Sequence, residues 1–176
     1  MWVAQMRFMQ RSTTAVRAGK AGAQRYSFPT VKLTYVSDSA TMIKPQAQSS
    51  REMHHFLFPK FEEFIEHHEE FHVLMLNRRM KVIAHAALFI GGIDSTIVDV
   101  RIVMQAAILS NCSALVIAHN HPSGNLMPSS ADRQITNRIS QACKVMEISL
   151  LDHIILSPEG SYYSFADNSE SALQPG

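Results

Sequence analysis

The chain has 176 residues, a formal net charge of +1 and 46% apolar residues. This length and apolar content are typical of a single domain with its own hydrophobic core. The near-neutral charge excludes a protein that attracts nucleic acid or anionic lipid through a strong global field, and no apolar run approaches the roughly 18 residues of a membrane span.

The first 25 residues differ from the rest of the chain. They contain five basic residues and no acidic one, and the first acidic residue is Asp38. Such a composition is compatible with a transit peptide or a basic arm. Because the segment has no secretory apolar core, we interpret residues 1–30 as a disordered basic leader.

Alternating and helical patterns follow. Residues 31–36 alternate and predict a short strand. A helical pattern runs from Ser49 to about His68, with serine caps at its start. Pro59 lies inside this pattern and should kink the helix or split it in two.

The middle of the chain predicts a β-hairpin. Residues 71–77 and 81–90 read as two strands, joined by Asn77-Arg78-Arg79-Met80.

The remaining elements predict a mixed sheet. They are a helix over 99–111, a strand over 113–118, a helix from Ser129 to about Met146, and strands over 148–157 and 161–165. The order strand–strand–helix–strand–helix–strand–strand indicates an α/β fold with helices flanking the sheet. The polar residues 169–176 are expected to form a loose tail.

The two cysteines do not indicate a disulfide framework. Cys112 and Cys143 lie in apolar patterns without a C-x-x-C pair, so neither a disulfide network nor a thiolate zinc site is predicted. We interpret them as buried free thiols in a protein of the reducing cytoplasm.

The most informative pattern follows the apolar run 114–118. It consists of His119 and His121, then Ser129, then Asp132. Two imidazoles and a carboxylate leave the fourth position of a tetrahedral zinc open for water, as in catalytic sites. Ser129 and Asp132 also have the spacing of a helix capping box. Both interpretations can hold together.

This motif resembles a known family. His-x-His-Pro-Ser-Gly-Asn followed by Pro-Ser-x-x-Asp is similar to the JAMM (MPN+, JAB) metal motif in the form carried by RadC-like proteins. The likeness covers roughly residues 48–168 and includes 69–77, 81–83, Gly91-Gly92, 151–155 and 162–166.

The resemblance implies a cytidine-deaminase-like α/β/α architecture for a JAB/MPN domain over residues 31–168. It implies Zn²⁺ held by His119, His121 and Asp132, with Ser129 stabilising the tetrahedral intermediate. The implied activity is that of a zinc metallopeptidase or isopeptidase, in which zinc activates water for attack on a carbonyl.

One departure from the family pattern concerns the general base. The family mechanism uses a glutamate on an upstream strand, expected four or five residues before the glycine that matches Gly91. Those positions are Ala86 and Ala87 here. A positioned general base contributes about 10²–10⁴-fold to the rate, so this difference bears directly on activity.

Two substitutes for the base can be named. His85 could act if its side chain faced the metal, although alternation sends residues 85 and 87 to one face and 86 to the other. Glu69 or Glu70, at the start of the preceding strand, is the other candidate.

Three functions are therefore open. The first is a hydrolase of the JAMM kind, and the second is a zinc-binding pseudoenzyme that has lost its base. The third is a RadC-like factor associated with DNA repair or mobile elements, whose only basic feature here is residues 7–25. The peptide or isopeptide substrate is not specified by any of these patterns.

Two further histidine patterns have structural explanations. His68-Glu69-Glu70-Phe71-His72 matches the zincin pattern H-E-x-x-H, but its last residues alternate like a strand, whereas the pattern requires one helix face. His153 lies in an apolar strand, and we interpret it as a satisfied core histidine rather than an outer partner of the metal site.

Overall fold

The computed structural model describes residues 46–91 and 97–173. The basic leader and the strand predicted over 31–36 lie outside these residues. The helices are α1 (Ser50–Leu57), α2 (Val100–Leu109) and α3 (Ser130–Val145). The strands are β1 (Glu70–Leu76), β2 (Val82–Ile90), β3 (Ala114–Asn120), β4 (Ser149–Leu156) and β5 (Tyr162–Ser164).

The five strands form one mixed sheet in the order β2-β1-β3-β4-β5. Neighbouring strands are antiparallel except β3 and β4, which are parallel. Parallel strands need a crossover connection, and α3 supplies it. The end of β3 and the beginning of α3 therefore lie at the same edge of the sheet.

Helices cover both faces of the sheet. Met53 and Leu57 of α1 pack with one set of alternating strand residues, which includes Val116. The opposite face packs against α2 and α3 through residues such as Val103 and Ile139. This arrangement confirms the predicted α/β fold with a mixed sheet and flanking helices.

The helix predicted from Ser49 to about His68 is shorter than expected. Ser49 caps α1 by accepting a hydrogen bond from the Glu52 amide, but α1 ends at Leu57. A 3-10 helix, Phe58–Lys60, and a series of turns follow. Pro59 explains the early end, because its nitrogen carries no hydrogen to continue the α-helical hydrogen bonds, although Phe58 before it keeps a helical conformation.

The hairpin between β1 and β2 is confirmed. The Asn77 side-chain oxygen accepts hydrogen bonds from the amides of Arg79 and Lys81, at 2.9 and 3.1 Å. Met80 adopts a left-handed conformation with φ of 57°. The side chain of Asn77 thus stabilises the turn together with the backbone bond from its own amide to the Lys81 carbonyl, at 3.0 Å.

Residues 169–173 differ from the loose tail expected from the sequence. They include a 3-10 helix, Ser171–Leu173, in which Ala172 is buried. Glu170 forms an ion pair of 2.8 Å with Arg133 of α3. The domain therefore continues beyond residue 168.

The cysteines are free thiols, as predicted. Cys143 is buried and Cys112 is half-buried. Burial raises the pKa of Cys143 to about 12, so this thiol stays protonated and acts as a small apolar side chain.

Among residues 46–91 and 97–173, no helix is both long and apolar enough to cross a lipid bilayer.

Asp152 connects β4 to the end of the domain. One carboxylate oxygen accepts hydrogen bonds from the amides of His153 and Ala166, at 2.7 and 2.9 Å. The other accepts the Ser164 hydroxyl at 2.6 Å. The carboxylate is buried, and these three donors account for its position in an apolar environment.

We expect Asp152→Ala to lower the free energy of unfolding by roughly 2–4 kcal/mol, because buried donors lose their acceptor. Asp152→Asn is the matched control, since its amide retains an acceptor oxygen and can donate to Ser164. Urea unfolding monitored by circular dichroism measures both. Equal losses in the two variants would contradict this account.

Candidate metal centre

Two histidines lie at the carboxyl end of β3. His119 is within the strand and only 5% exposed. His121 follows the strand end, and its amide still donates to the carbonyl of Leu156 in β4, at 2.9 Å. Because strand side chains alternate, both imidazoles are on the sheet face covered by α2 and α3.

Asp132 brings a carboxylate to these imidazoles from the first turn of α3. His119 Nε2 is 2.9 Å from His121 Nε2 and 3.2 Å from Asp132 Oδ1. His121 Nε2 is 3.6 Å from Asp132 Oδ2. This convergence lies at the carboxyl ends of the strands, where open α/β sheets commonly bind ligands.

The separations match those around a small cation. Tetrahedral zinc bonds of about 2.0–2.1 Å place neighbouring ligand atoms roughly 3.4 Å apart. One donor atom from each of His119, His121 and Asp132 lies within 4.8 Å of the others. These residues can therefore hold a metal ion.

Hydrogen bonds orient two of the three donors. His121 Nδ1 donates to the carbonyl of Asn125, at 2.5 Å, which leaves a lone pair on Nε2, the atom that faces the cluster. The hydroxyl and the amide of Ser129 both donate to Asp132 Oδ2, each at 2.7 Å. Oδ1 is then the oxygen directed at His119.

Ser129 and Asp132 form a complete capping box at the start of α3. The Asp132 amide donates back to the Ser129 hydroxyl oxygen at 3.1 Å. The capping interpretation of this pair is confirmed, and it is compatible with metal binding, because the cap orients the carboxylate without using Oδ1.

The electrostatics of the cluster favour a carboxylate anion. Burial alone would raise the pKa of Asp132, but the neighbouring rings of His119 and His121 and the hydroxyl of Ser129 outweigh it and hold the pKa far below its usual value. Burial would likewise lower the pKa of His121, yet the nearby Asp132 carboxylate, the Asn125 carbonyl and the charge of Glu69 raise it overall. The Asp132 carboxyl is therefore ionised in the folded protein.

His153 contacts this cluster, although the sequence suggested a role in the core only. It is fully buried, and its Nε2 lies 2.8 Å from Nδ1 of His119. The neighbouring parallel strand β4 supplies this residue, so the contact depends on strand pairing that the local sequence does not reveal.

The two alanines expected at the position of the general base lie on different faces. Ala86 pairs with Val73 and belongs to the apolar cluster beneath α2 and α3. Ala87 pairs with His72, whose ring stacks on Phe61 on the other face of the sheet. Only Ala86 therefore shares a face with the metal cluster.

His85 faces away from the metal cluster. Its Nε2 is 3.1 Å from Nδ1 of His72, and burial, followed by the charges of His72 and Lys60, lowers its pKa to about 4. His85 is therefore not placed to act on the metal cluster.

The H-E-x-x-H pattern forms a separate polar cluster on that same opposite face. The two oxygens of Glu70 lie 2.9 Å from His68 Nε2 and 2.7 Å from His72 Nε2. His68 lies in a bend and His72 in β1, so the two histidines do not occupy one helix face. The zincin interpretation does not hold.

Glu69 is a carboxylate on the metal side of the sheet. The antiparallel pairing of β1 with β3 ends at Phe71 and His119. Continued past the strand ends, this register would place Glu69 opposite His121. The Glu70 amide donates to the side chain of Asn120 at 2.8 Å, which holds the strand ends together at this point. Glu69 is half-buried, and its charge contributes to the raised pKa of His121.

The sequence offers Glu69 or Glu70 as one of two substitutes for the missing general base, the other being His85. The sequence signal for Glu69 is its position two residues before the apolar Phe71, because residues i and i+2 of a strand lie on the same face. That signal separates Glu69 from Glu70 only once the sheet partner of β1 is known.

Comparison with known proteins gives consistent matches. The family model described as the RadC-like JAB domain matches residues 47–170. A UPF0758 protein of Flavobacterium johnsoniae is 50% identical over 100 residues, which is 57% of this chain and 43% of that protein. One from Porphyromonas gingivalis is 43% identical over 99 residues, 56% of this chain and 44% of that protein.

A third relative is the UPF0758 protein YfjY of Escherichia coli. It is 45% identical over 100 residues, which is 57% of this chain and 62% of that protein. The aligned part of this chain thus spans between about two fifths and three fifths of the curated relatives it matches.

The matched residues 47–170 contain the five strands and three α-helices of the described part of the chain, together with the three converging donors, and this chain therefore belongs to the RadC-like JAB domain family.

Proposed function

We propose that this protein is a zinc-dependent hydrolase of amide bonds, acting on a peptide or an isopeptide. The observation that carries the proposal is the convergence of His119, His121 and Asp132 at the carboxyl edge of the sheet, with the carboxylate of Glu69 on the same side.

Zinc is the metal that best matches this donor set. Two imidazoles and one carboxylate are typical of catalytic zinc sites, whereas magnesium and calcium prefer oxygen ligands. When bound, zinc would acidify a water molecule and polarise a carbonyl group. The orientation of His121 by Asn125 and of Asp132 by Ser129 prepares both donors for such an ion.

Glu69 is the residue we assign as general base. A general base has to reach the water that attacks the substrate and the nitrogen that leaves. The charge of Glu69 acts on His121, and the β1–β3 register continued past its end would place the two residues opposite each other. Ala86 lies on β2, two strands from His119. A base supplied by β1 would make a carboxylate at position 86 or 87 unnecessary.

Ser129 has two possible roles, and they make different demands on its hydroxyl. In the capping box the hydroxyl donates to Asp132, which supports the metal ligand. Stabilisation of a tetrahedral intermediate would require the same hydrogen to turn towards the substrate. We propose the first role as primary, because the hydroxyl is already engaged in it.

A zinc-binding pseudoenzyme is the second candidate. Its support is the absence of a carboxylate at Ala86 and Ala87. It predicts zinc binding by His119, His121 and Asp132 without turnover of any peptide. The position of Glu69 is the reason that we favour the hydrolase.

Asp132→Ala should abolish metal binding and hydrolysis together, because it removes a ligand and the acceptor of Ser129. The loss of zinc affinity should exceed the roughly 10- to 100-fold typical of outer-shell substitutions. Competition with a chromogenic chelator measures the affinity. Asp167→Ala, which alters an exposed carboxylate bonded to Ser50, is the control, and hydrolysis retained in Asp132→Ala would refute the proposal.

Glu69→Gln should lower kcat by about 10²–10⁴-fold, because the amide cannot accept a proton. Zinc affinity should be unchanged, since Glu69 is not a ligand. The assay is cleavage of a substrate identified from peptide and isopeptide libraries, and Glu66→Gln, at an exposed position of the preceding turn, is the matched control. Full activity in Glu69→Gln would argue against the assigned base.

Ser129→Ala should destabilise the protein by about 1 kcal/mol through loss of the helix cap. It should also weaken zinc binding, because Asp132 loses one of its orienting donors. Thermal unfolding and chelator competition measure the two effects. A lower kcat with unchanged zinc affinity would instead indicate a direct role in the transition state.

A further inference from the structure

A buried chain of hydrogen bonds connects α3 to the metal cluster. Thr136 Oγ1 donates to the carbonyl of Asp132 at 2.6 Å and lies 2.6 Å from Nδ1 of His153. Nε2 of His153 lies 2.8 Å from Nδ1 of His119. This series of hydrogen bonds therefore begins at one residue of the metal cluster, Asp132, and ends at another, His119.

The direction of each hydrogen bond follows from the first one. Because the Thr136 hydroxyl gives its only hydrogen to a carbonyl, it can only accept from His153. His153 must then carry its hydrogen on Nδ1, and in a neutral imidazole its Nε2 is an acceptor. His119 consequently donates from Nδ1.

His153 is held in the neutral state that this argument requires. Burial of the ring disfavours its charged form, and its two nitrogens contact the Thr136 hydroxyl and the His119 ring. Its ring stacks on Phe165 with centroids 4.7 Å apart, and both His153 and Thr136 are completely buried. Neither side chain has room to exchange its partners for water.

We propose that Thr136 and His153 are positioning residues that fix the tautomer of His119, with hydrogen on Nδ1 and a free lone pair on Nε2 for the metal. This inference rests on the proposed metal site and deepens it. Outer partners that orient a ligating histidine through its second ring nitrogen are a general feature of metal sites.

The alternative tautomer would oppose metal binding. Hydrogen on Nε2 of His119 would point at Nε2 of His121, 2.9 Å away, and at Asp132. The imidazole would then form a hydrogen bond within the cluster instead of a bond to a metal. The buried chain makes this state unfavourable before any ion arrives.

Thr136→Val and Thr136→Ser form a matched pair for the test. Valine preserves the shape of threonine but removes the acceptor for His153 Nδ1, so His153 can adopt its other tautomer and reverse the chain. Serine keeps the hydroxyl. Ser140→Ala controls for the loss of a buried hydroxyl, since Ser140 lies one turn later on α3 and donates to the Leu173 carbonyl.

The first measurement is the zinc dissociation constant by chelator competition. We expect Thr136→Val to weaken zinc binding roughly 10- to 100-fold, and Thr136→Ser and Ser140→Ala to leave it near the wild-type value. His153→Phe, which keeps an aromatic ring against Phe165, should weaken binding to a similar extent as Thr136→Val. Wild-type affinity in folded Thr136→Val and His153→Phe would overturn the proposal.

The second measurement is the tautomer of His119 in the metal-free protein at alkaline pH, from ¹⁵N NMR of the imidazole. We expect hydrogen on Nδ1 in the wild type and a loss of this preference in Thr136→Val. Hydrogen on Nε2 in the wild type would overturn the proposal. Because no metal is present, this result decides the proposal even if the wild type binds no zinc, an outcome that would refute the proposed function alone.

Discussion

The parallel pairing of β3 with β4 is the constraint on which the metal cluster depends. Two parallel strands cannot be joined by a tight turn, so the chain crosses over through α3. This crossover brings the first turn of α3 to the edge where β3 ends. Asp132 thereby reaches His119 and His121, and β4 places His153 behind His119. The candidate ligands and the histidine that contacts them thus come from one strand–helix–strand unit.

Alternation along the strands then separates two polar groups that are neighbours in sequence. Glu69 and Glu70 are adjacent, yet Glu70 contacts His72 on the face covered by α1. Glu69 precedes the strand, and its charge acts on His121 of the candidate metal site. Asn120, between the two metal-site histidines, follows the same rule. Its amide donates to the carbonyls of Ile65 and His68, at 2.9 Å each, on the Glu70 side. The sheet therefore divides one polar segment into a metal side and a structural side.

Hydrogen-bond direction prepares the metal side for a cation. Nδ1 of His121 donates to a backbone carbonyl, and Oδ2 of Asp132 accepts from Ser129. The atoms left over, a ring nitrogen of His121 and Oδ1 of Asp132, are acceptors that face a third acceptor on His119. Several acceptors in a partly buried space repel one another unless a positive ion lies between them. The capping box, a local device for starting a helix, thus also orients a ligand.

The sequence alone determined the elements and the candidate ligands, because these are local properties. Apolar periodicity predicted β1–β5 and the helices α2 and α3. The spacing of His119, His121, Ser129 and Asp132 indicated that these residues lie at a strand end, in a loop and at a helix start. Pro59 marked a break in the helical pattern, and α1 ends at Leu57, two residues before it.

Only the tertiary structure decided which carboxylate and which histidine accompany the ligands. The choice between Glu69 and Ala86 depends on strand order and register, and the contact of His153 with His119 depends on the pairing of β3 with β4. The residues concerned are far apart in the sequence: His119 and His153 are separated by 34 positions, and Glu69 and His121 by 52. Periodicity records the face of a residue within its own strand. It does not record the neighbouring strand, which is set by how the whole sheet buries its apolar surface.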